Sequence, residues 1–318
     1  MYLLEFAGDD DAFAVREAES RASAVDPIAA GMATARGIER PETLAYTRRV
    51  CRLIGTCEPD LDAAAAVVTA AGIDRTGTVA VRARNVRGLS DIDTQSAERR
   101  LGSILVTRGF DVDLDDPDHT LLALFADDLA ALGWVECETV RDFTAREPTK
   151  KPFFQPGSMA PVDARALANI AGAGPNASIL DPMCGTGGIL VEAGLAGATV
   201  VGVDAQAKMV RGTRVNLREY LDDGSVVRGD ATQLPFVTDS FDGVVFDAPY
   251  GRQSKIEGDS LERLVSDALR EARRVAPRAV LVGDQPWAEP AEAAGWRVTE
   301  RFDRRVHASL VRYVHVLE

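Results

Sequence analysis

The chain has 318 residues, 46% hydrophobic and 27% charged, which suits two globular domains and excludes wholesale disorder. No stretch offers about 18 uncharged apolar residues, and the start MYLLEFAGDDD lacks the basic flank and cleavage site of a secretion signal, so we expect a cytoplasmic protein without membrane association. The net charge is −13, and arginine supplies nearly all the positive charge because there are only four lysines.

The first half of the chain predicts an irregular α+β domain over residues 1–145. TVAVRARNV (78–86) and HTLLALFAD (119–127) are typical of strands, and DTQSAERRLGSILVTRG (93–109) predicts a helix capped by Asp93 or Thr94. The Pro- and charge-rich stretch REPTKKPFFQPG (146–157) is interpreted as a linker.

Residues 158–318 predict an α/β domain in which short apolar strands alternate with helices, as in a doubly wound, mostly parallel sheet. The tail RRVHASLVRYVHVLE alternates with period two and predicts a last, antiparallel strand. The other strands are predicted at ASILDPM (177–183), ATVVGVDA (198–205), GSVVRGDA (224–231), FDGVVFDA (241–248) and RAVLVGDQ (278–285).

The segment DPMCGTGGILVEAG (181–194) follows a strand and opens a helix, and its glycines allow a ligand to approach the backbone. No G-K-[ST] follows, which excludes a P-loop. Asp181 precedes the glycines, where it would repel a pyrophosphate. A carboxylate there suits a cationic ligand such as S-adenosylmethionine, which has an amino group and a sulfonium and no phosphate. Glycines in this turn are also used for packing alone.

Two further carboxylates end the next two strands. Asp204 closes VVGVDAQ, about 20 residues past the loop, where an acid accepts ribose hydroxyls. Asp230 closes the third strand, near the expected place of an adenine amine. Either residue alone could be a helix cap. Together with Asp181 they favour a cofactor site at one sheet edge.

The stretch VVFDAPYG (244–251) ends a fourth strand abruptly at a proline and a glycine. Asp247 and the carbonyl of Ala248 can accept the two hydrogens of an exocyclic base amine and orient its nitrogen. Pro249 fixes the direction of that carbonyl, and Tyr250 can stack on a flipped base. The alternative is a simple strand-ending turn.

In their order, these motifs resemble those of class I S-adenosylmethionine-dependent amino-methyltransferases, with Ala248 where that family has a proline. The segment KKPFFQPGSMAPVDARALANIAG (150–172) resembles the family's lead-in, and residues 45–140 resemble a THUMP RNA-binding domain. The whole resembles the archaeal tRNA guanosine-10 N2-methyltransferases, with a Rossmann-like catalytic domain. The resemblance implies cofactor contacts from Pro156, Ser158, Asp181, Met183, Gly185, Thr186, Gly187, Asp204, Asp230, Ala231 and Asp247.

The resemblance also implies that the substrate is a tRNA and that one or two methyl groups are added to it. Arg82, Arg84 and Arg87 are candidate phosphate contacts or a solvated face, and Arg252 directly follows the catalytic loop. Two alternatives stay open at this point. One is N6-adenine or N4-cytosine methylation of RNA or DNA, and the other is an inert RNA-binding scaffold.

The acidic balance has two interpretations. It could belong to a protein that avoids polyanions, or to one adapted to high salt, where an acidic, lysine-poor surface stays hydrated. We favour the halophilic one, under which net charge does not exclude nucleic acid. The scattered cysteines and histidines form no ligand pattern, so no metal is expected. We expect a monomer, although the sequence does not fix the oligomeric state.

Overall fold

The computed structural model describes residues 1–250, 258–307 and 310–318. Contacts within the chain divide it into two compact units, Met1–Val140 and Arg141–Glu318. This boundary precedes the stretch 146–157 that was predicted as a linker.

The first unit is built on an eight-stranded sheet with the order β3-β4-β1-β6-β10-β9-β7-β8, in which β7 runs parallel to β8 and β9. Residues 1–44 therefore add strands to the sheet that also holds the THUMP-like region. The strands are β1 (Tyr2–Phe6), β2 (Ala22–Ser23), β3 (Asp26–Ala29), β4 (Met32–Ala35), β5 (Gly37–Ile38), β6 (Thr47–Cys57), β7 (Thr78–Asn85), β8 (Asp111–Val112), β9 (His119–Phe125) and β10 (Ala130–Glu138). The helices are α1 (Asp11–Ala18), α2 (Leu61–Ala70) and α3 (Thr94–Thr107), with 3-10 turns at Pro41–Thr43 and Val86–Gly88.

Both faces of this sheet are covered, which explains the continuous apolar run of β9. Leu121 and Phe125 pack into a core that includes residues of α2 and α3, whereas Leu122 and Leu124 pack into a second core with Leu3. Successive strand residues point to opposite faces, so a strand buried on both sides needs apolar residues throughout. Helix α3 begins after Asp93, whose carboxylate accepts hydrogen bonds from two amides of the first turn, as predicted.

The second unit is built on a seven-stranded sheet with the order β13-β12-β11-β14-β15-β17-β16. Its strands are β11 (Ser178–Asp181), β12 (Thr199–Asp204), β13 (Ser225–Arg228), β14 (Gly243–Asp247), β15 (Ala279–Gly283), β16 (Val298–His307) and β17 (Leu310–Leu317). Its helices are α4 (Pro161–Ile170), α5 (Gly188–Leu195), α6 (Ala207–Tyr220), α7 (Gly258–Val275) and α8 (Ala288–Ala293), with 3-10 turns at Asp142–Arg146 and Pro148–Lys150.

The five strands β11 to β15 are parallel, and β17 inserts antiparallel between β15 and β16, which confirms the predicted Rossmann-like sheet with its antiparallel last strand. The C-terminal tail forms two strands rather than one, because β16 pairs with β17. Val244 and Phe246 of β14 pack into a core with α7 and α8. Because β11, β12 and β14 run parallel, their carboxyl ends meet at one edge of the sheet.

Part of the stretch 146–157, which was predicted as a linker, packs against the second unit. The side chains of Arg146 and Lys151 are buried. The Phe153 ring covers Gly212 of α6 so closely that a Cβ on Gly212 would lie 2.1 Å from a ring carbon. Arg146 contacts Glu192 of α5 and Phe153 contacts Asn216 of α6, so the stretch makes specific contacts although its composition is typical of a linker.

Candidate functional site

A cavity of about 190 Å³ opens at the carboxyl edge of the second sheet. The loop before α5, the ends of β11 and β14, and the segment 155–159 together surround it. Its lining residues are Gln155, Pro156, Gly157, Ser158, Met159, Asp181, Met183, Cys184, Gly185, Thr186, Gly188, Ile189, Met209 and Asp247. Seven of the predicted site residues are thus brought together: Pro156, Ser158, Asp181, Met183, Gly185, Thr186 and Asp247.

Side chains of α6 hold the glycine loop that precedes α5. Gly187 has a φ of +78°, and a Cβ there would lie 2.5 Å from the Thr213 methyl carbon, so the loop requires glycine at this position. The Thr213 hydroxyl donates to the Gly185 carbonyl at 2.6 Å. The Asn216 amide donates to the carbonyls of Thr186 and Phe153, both at 2.8 Å. Asn216 therefore fastens the lead-in segment to the loop.

Asp181 lines the cavity, and only 2% of the residue is exposed. One of its oxygens accepts a hydrogen bond from the Met183 amide at 3.0 Å. Burial raises the pKa of Asp181 well above its ordinary value, and the charges of Asp204 and Asp247 add to that rise. A cationic group in the cavity would relieve this repulsion.

Asp204 lies behind the loop rather than in the lining of the cavity. Its two oxygens accept the amides of Gly185 at 3.0 Å and Gln206 at 2.8 Å, so the residue joins the loop to the end of β12. Burial raises its pKa, against the effect of these two hydrogen bonds. A carboxylate has further lone pairs, so Asp204 can still accept from a ligand.

The predicted residues of the third strand lie apart from this cavity. Asp230 is exposed, and its carboxylate accepts from the amide and the hydroxyl of Thr232 at 2.9 and 2.8 Å. Ala231 is buried beside it. This geometry matches the cap-like alternative for Asp230 and leaves its contact with a cofactor a prediction.

Asp247 presents an acceptor to the cavity. Its Oδ1 atom is buried and has no hydrogen-bond partner among the described residues. Burial raises the pKa of Asp247 to about 6, although the Arg312 charge and a hydrogen bond with Tyr250 act to lower it. A buried oxygen without a donor is unfavourable unless a ligand supplies one. The site is therefore suited to a molecule with an N–H group.

Tyr250 and Arg312 support Asp247 from the side. The Arg312 guanidinium donates to the Tyr250 hydroxyl at 3.0 Å, and that hydroxyl is hydrogen-bonded to Asp247. Arg312 is also 3.9 Å from a carboxylate oxygen of Asp163. These contacts fix the Tyr250 hydroxyl toward Asp247. The sequence predicted only a stacking role for Tyr250 and not this hydrogen bond. The sequence interpretation missed Arg312, whose one signal is a charge within the apolar strand LVRYVHVL.

The remaining residues of the catalytic stretch differ in their surroundings. Ala248 is buried, and its amide donates to the Val282 carbonyl at 2.8 Å. Pro249 lies between Ala248 and Tyr250 and is partly exposed. Arg252, proposed to contact RNA, lies outside the described residues.

The three candidate RNA-binding arginines of the first unit have partners within that unit. Arg82 donates to the Leu114 carbonyl at 2.6 Å. Arg84 pairs with Glu5 at 3.2 Å, and Arg87 pairs with Asp11 at 2.5 Å. A guanidinium has five N–H donors, so a phosphate could bind these arginines without displacing the partners they already have.

No cluster of His, Cys, Asp or Glu that could hold a metal ion occurs in the part of the chain that the structure describes. Among the same residues, no helix combines the length and apolar character that crossing a bilayer needs.

Comparison with known proteins gives one consistent family. The family described as RMKL-like, methyltransferase domain matches residues 148–313. The tRNA (guanine(10)-N2)-dimethyltransferase of Methanothermobacter thermautotrophicus is 36% identical over 86% of this chain and 83% of its own length. The protein of the same name from Pyrococcus abyssi is 33% identical over 76% and 74%. The crystal structure of TrmN from Thermus thermophilus covers 100% of this chain and 99% of its own, with a TM-score of 0.52 and 23% identity, and so supports the fold alone.

Proposed function

The chain belongs to the family of the archaeal tRNA (guanine(10)-N2)-dimethyltransferases, and on that basis we propose that it transfers methyl groups from S-adenosylmethionine to the N2 amine of a guanosine in tRNA. The target is guanosine 10, and the products are N2-methylguanosine and N2,N2-dimethylguanosine. The one observation that carries this proposal is Asp247, which lines the same cavity as the glycine loop and whose buried Oδ1 has no hydrogen-bond partner among the described residues.

The cavity suits the methionine part of the cofactor. Asp181 and Asp247 supply negative charge for its amino and sulfonium groups, and the positive-φ glycines let a ligand approach the backbone. Behind the loop, Asp204 can accept ribose hydroxyls. When bound, S-adenosylmethionine supplies an electrophilic methyl group.

The residues at the end of β14 act on the acceptor. The 2-amino group of guanine is a weak nucleophile because its lone pair is shared with the ring. The Asp247 carboxylate accepts one of its hydrogens and turns the nitrogen toward the methyl group. It also stabilises the positive charge that would grow on the nitrogen as the N–CH3 bond forms and the S–CH3 bond breaks, and it can accept the proton that the nitrogen then loses, S-adenosylhomocysteine being the other product. Tyr250 and Arg312 hold the carboxylate in place.

The proposal is tested by incubating the full chain with S-adenosylmethionine and an unmodified tRNA transcript, followed by nucleoside mass spectrometry. Mono- and dimethylguanosine should form and should disappear when guanosine 10 of the transcript is replaced by adenosine. Methyl groups on adenine or cytosine would replace this proposal by the other amine methylations. Cofactor binding without any transfer would indicate an RNA-binding scaffold.

We expect turnover to depend on ionised Asp247 and therefore to fall as the pH drops through about 6, the pKa of that carboxyl. The Arg312 charge lowers this pKa, so Arg312→Gln should move the midpoint of the acid limb to higher pH, and Arg312→Lys should leave it closer to that of the original chain. The measurement is single-turnover methylation between pH 5 and 8. An acid limb that is the same in all three proteins would refute the coupling.

Asp204→Ala should weaken cofactor binding first. Losing charge-assisted hydrogen bonds to the ribose is worth ~1.5–3 kcal/mol, or about 10- to 100-fold in the dissociation constant. Titration calorimetry with S-adenosylhomocysteine measures it. If Asp204 only fastens the loop, the melting temperature will fall while the dissociation constant stays the same.

For the rest of the chain we propose that the first unit is a THUMP-like domain that binds tRNA, and that the protein is a cytoplasmic monomer adapted to high salt. The charge distribution supports the adaptation to high salt. Residues 1–150 carry 27 acidic and 17 basic groups although they include the region proposed to bind RNA.

A further inference from the structure

Asp247 has one carboxylate oxygen available for the base that accepts the methyl group. Its Oδ1 has no hydrogen-bond partner among the described residues, so the hydrogen bond with Tyr250 engages the other oxygen, Oδ2. The Watson–Crick edge of guanine carries two adjacent donors, the ring N1–H and the 2-amino group. An Oδ1 that accepts from the amine leaves the N1–H to another acceptor, and a donor without an acceptor in a closed site is unfavourable.

Asp284 lies at the carboxyl end of the neighbouring strand. Strands β14 and β15 are parallel, with Asp247 opposite Val282, and the Ala248 amide donates to the Val282 carbonyl at 2.8 Å. Asp284 directly follows Gly283, the last residue of β15. Its charge acts on Asp247 and raises the pKa of that carboxyl. The two carboxylates therefore lie at adjacent strand ends on one edge of the sheet.

The carboxylate of Asp284 is available to a ligand. The residue is half-buried, and its side chain makes no hydrogen bond or ion pair in the part of the chain that the structure describes. Arg312, on the strand beside β15, does not neutralise it, because its guanidinium donates to Tyr250 and faces Asp163. Two neighbouring carboxylates repel each other, and a donor placed between them would relieve that repulsion.

The loop that carries Asp284 is fixed to the sheet at both ends. Gly283 packs against the indole of Trp287 so closely that a Cβ on Gly283 would lie 2.4 Å from the indole Nε1. Trp287 is buried, and its backbone amide donates to Nε2 of the buried His315 at 3.1 Å. Asp284 is the first of the three residues between these anchors, so its position is set before any substrate binds.

We propose that Asp284 accepts the N1–H of the target guanine while Asp247 accepts a hydrogen of its 2-amino group, which makes Asp284 the residue that selects guanine. This inference rests on the proposed guanosine N2-methylation and names how that site recognises its base. Adenine and cytosine carry an acceptor nitrogen beside their exocyclic amines, at N1 and N3. That nitrogen would face the Asp284 carboxylate lone pair to lone pair, so both bases would be rejected.

The test compares two tRNA transcripts that differ in the recognised group. One has guanosine at position 10, and the other has 2-aminopurine there, which keeps the 2-amino group and lacks the N1–H. The original chain should methylate the guanosine transcript with a kcat/KM about 10- to 100-fold higher, the effect of one charge-assisted hydrogen bond. In Asp284→Ala this ratio should fall to within about threefold of one, because only guanosine loses an acceptor.

The controls separate recognition from charge and from folding. Assays at pH 8 lie above the pKa of Asp247, about 6, so the lost charge of Asp284 does not change the ionisation of Asp247. Asp284→Asn keeps an acceptor oxygen without the charge and should give an intermediate ratio. Glu289→Ala is the matched control, because Glu289 is an exposed acid in the first turn of α8, shortly after the same loop, and should leave the ratio unchanged.

An unchanged ratio in Asp284→Ala, with both rates lowered equally, would overturn the proposal and assign Asp284 to the stability of its loop. Equal methylation of the two transcripts by the original chain would also overturn it, while leaving guanosine methylation in place, and that measurement needs no variant. If the original chain does not methylate guanosine in either assay, the proposed function fails, and this inference fails with it.

Discussion

Asp247→Ala should abolish most methyl transfer, with a fall in rate on the order of 10²–10³, while the affinity for S-adenosylhomocysteine stays within a few-fold. The reason is the position of Asp247, which lines the cavity and whose Oδ1 is buried and unpartnered among the described residues. An alanine there leaves the guanine amine without the acceptor that orients it. Single-turnover kinetics with saturating tRNA and cofactor measures the chemical step.

Asp242→Ala provides the matched control. Asp242 stands just before the other end of β14, where its carboxylate accepts from the amide and the hydroxyl of Ser178, both at 2.8 Å. Its loss should lower the melting temperature and leave the rate constant nearly unchanged. Asp247→Asn keeps the shape and loses the charge, and should be impaired almost as strongly as Asp247→Ala. Unchanged turnover of Asp247→Ala under these conditions would remove Asp247 from the mechanism.

The sheet and the glycine loop could be predicted because their signals are local. Apolar runs that end in an aspartate identify β11, β12 and β14, and parallel strands bring those ends to one edge. Asp181 and Asp247 are the last residues of β11 and β14, and Gly185 lies in the loop after β11, so their common position at this edge could be predicted, whereas their roles stay predictions.

Contacts made across the fold left no comparable signal. Arg312 reaches Tyr250 from a strand near the end of the chain, and Asn216 reaches Phe153 and Thr186 from a helix face. The burial of Lys151 could not be predicted, because it lies in a stretch whose prolines and charges are typical of a linker. Asp230 lies two residues after the end of β13 and binds Thr232, because a short polar side chain readily caps its own turn.

Removing the first unit should lower tRNA methylation by orders of magnitude while cofactor binding persists. A fragment covering residues 141–318 contains every described residue of the cavity and the whole second unit. If the first unit binds the tRNA, it raises the effective concentration of guanosine 10 at Asp247, and that advantage is lost on deletion. Calorimetry with S-adenosylhomocysteine and single-turnover methylation of tRNA measure the two properties on the same fragment.

A second fragment with a later starting residue provides the control for the 141–318 fragment. A fragment that starts at residue 156 lacks Arg146, which binds the fully buried Glu192 at 2.7 Å, and Phe153, which covers Gly212. Removing one partner of a buried ion pair is destabilising by about 3–5 kcal/mol. The shorter fragment should therefore melt at a lower temperature and bind the cofactor poorly. Equal stability of the two would show that 146–157 is a linker after all.

Salt dependence separates the ways in which the first unit could hold tRNA. With a net charge of −13, the chain cannot rely on long-range attraction, so short arginine–phosphate hydrogen bonds must carry more of the binding. Arg84 and Arg87 already bind the buried Glu5 and the partly buried Asp11, and salt screens such pairs less than it screens pairs in open solvent. We expect the full chain to remain active in molar potassium chloride and to exceed the 141–318 fragment at both low and high salt. A fragment as active as the full chain would refute the division of labour, and loss of activity in molar salt would refute the halophilic interpretation.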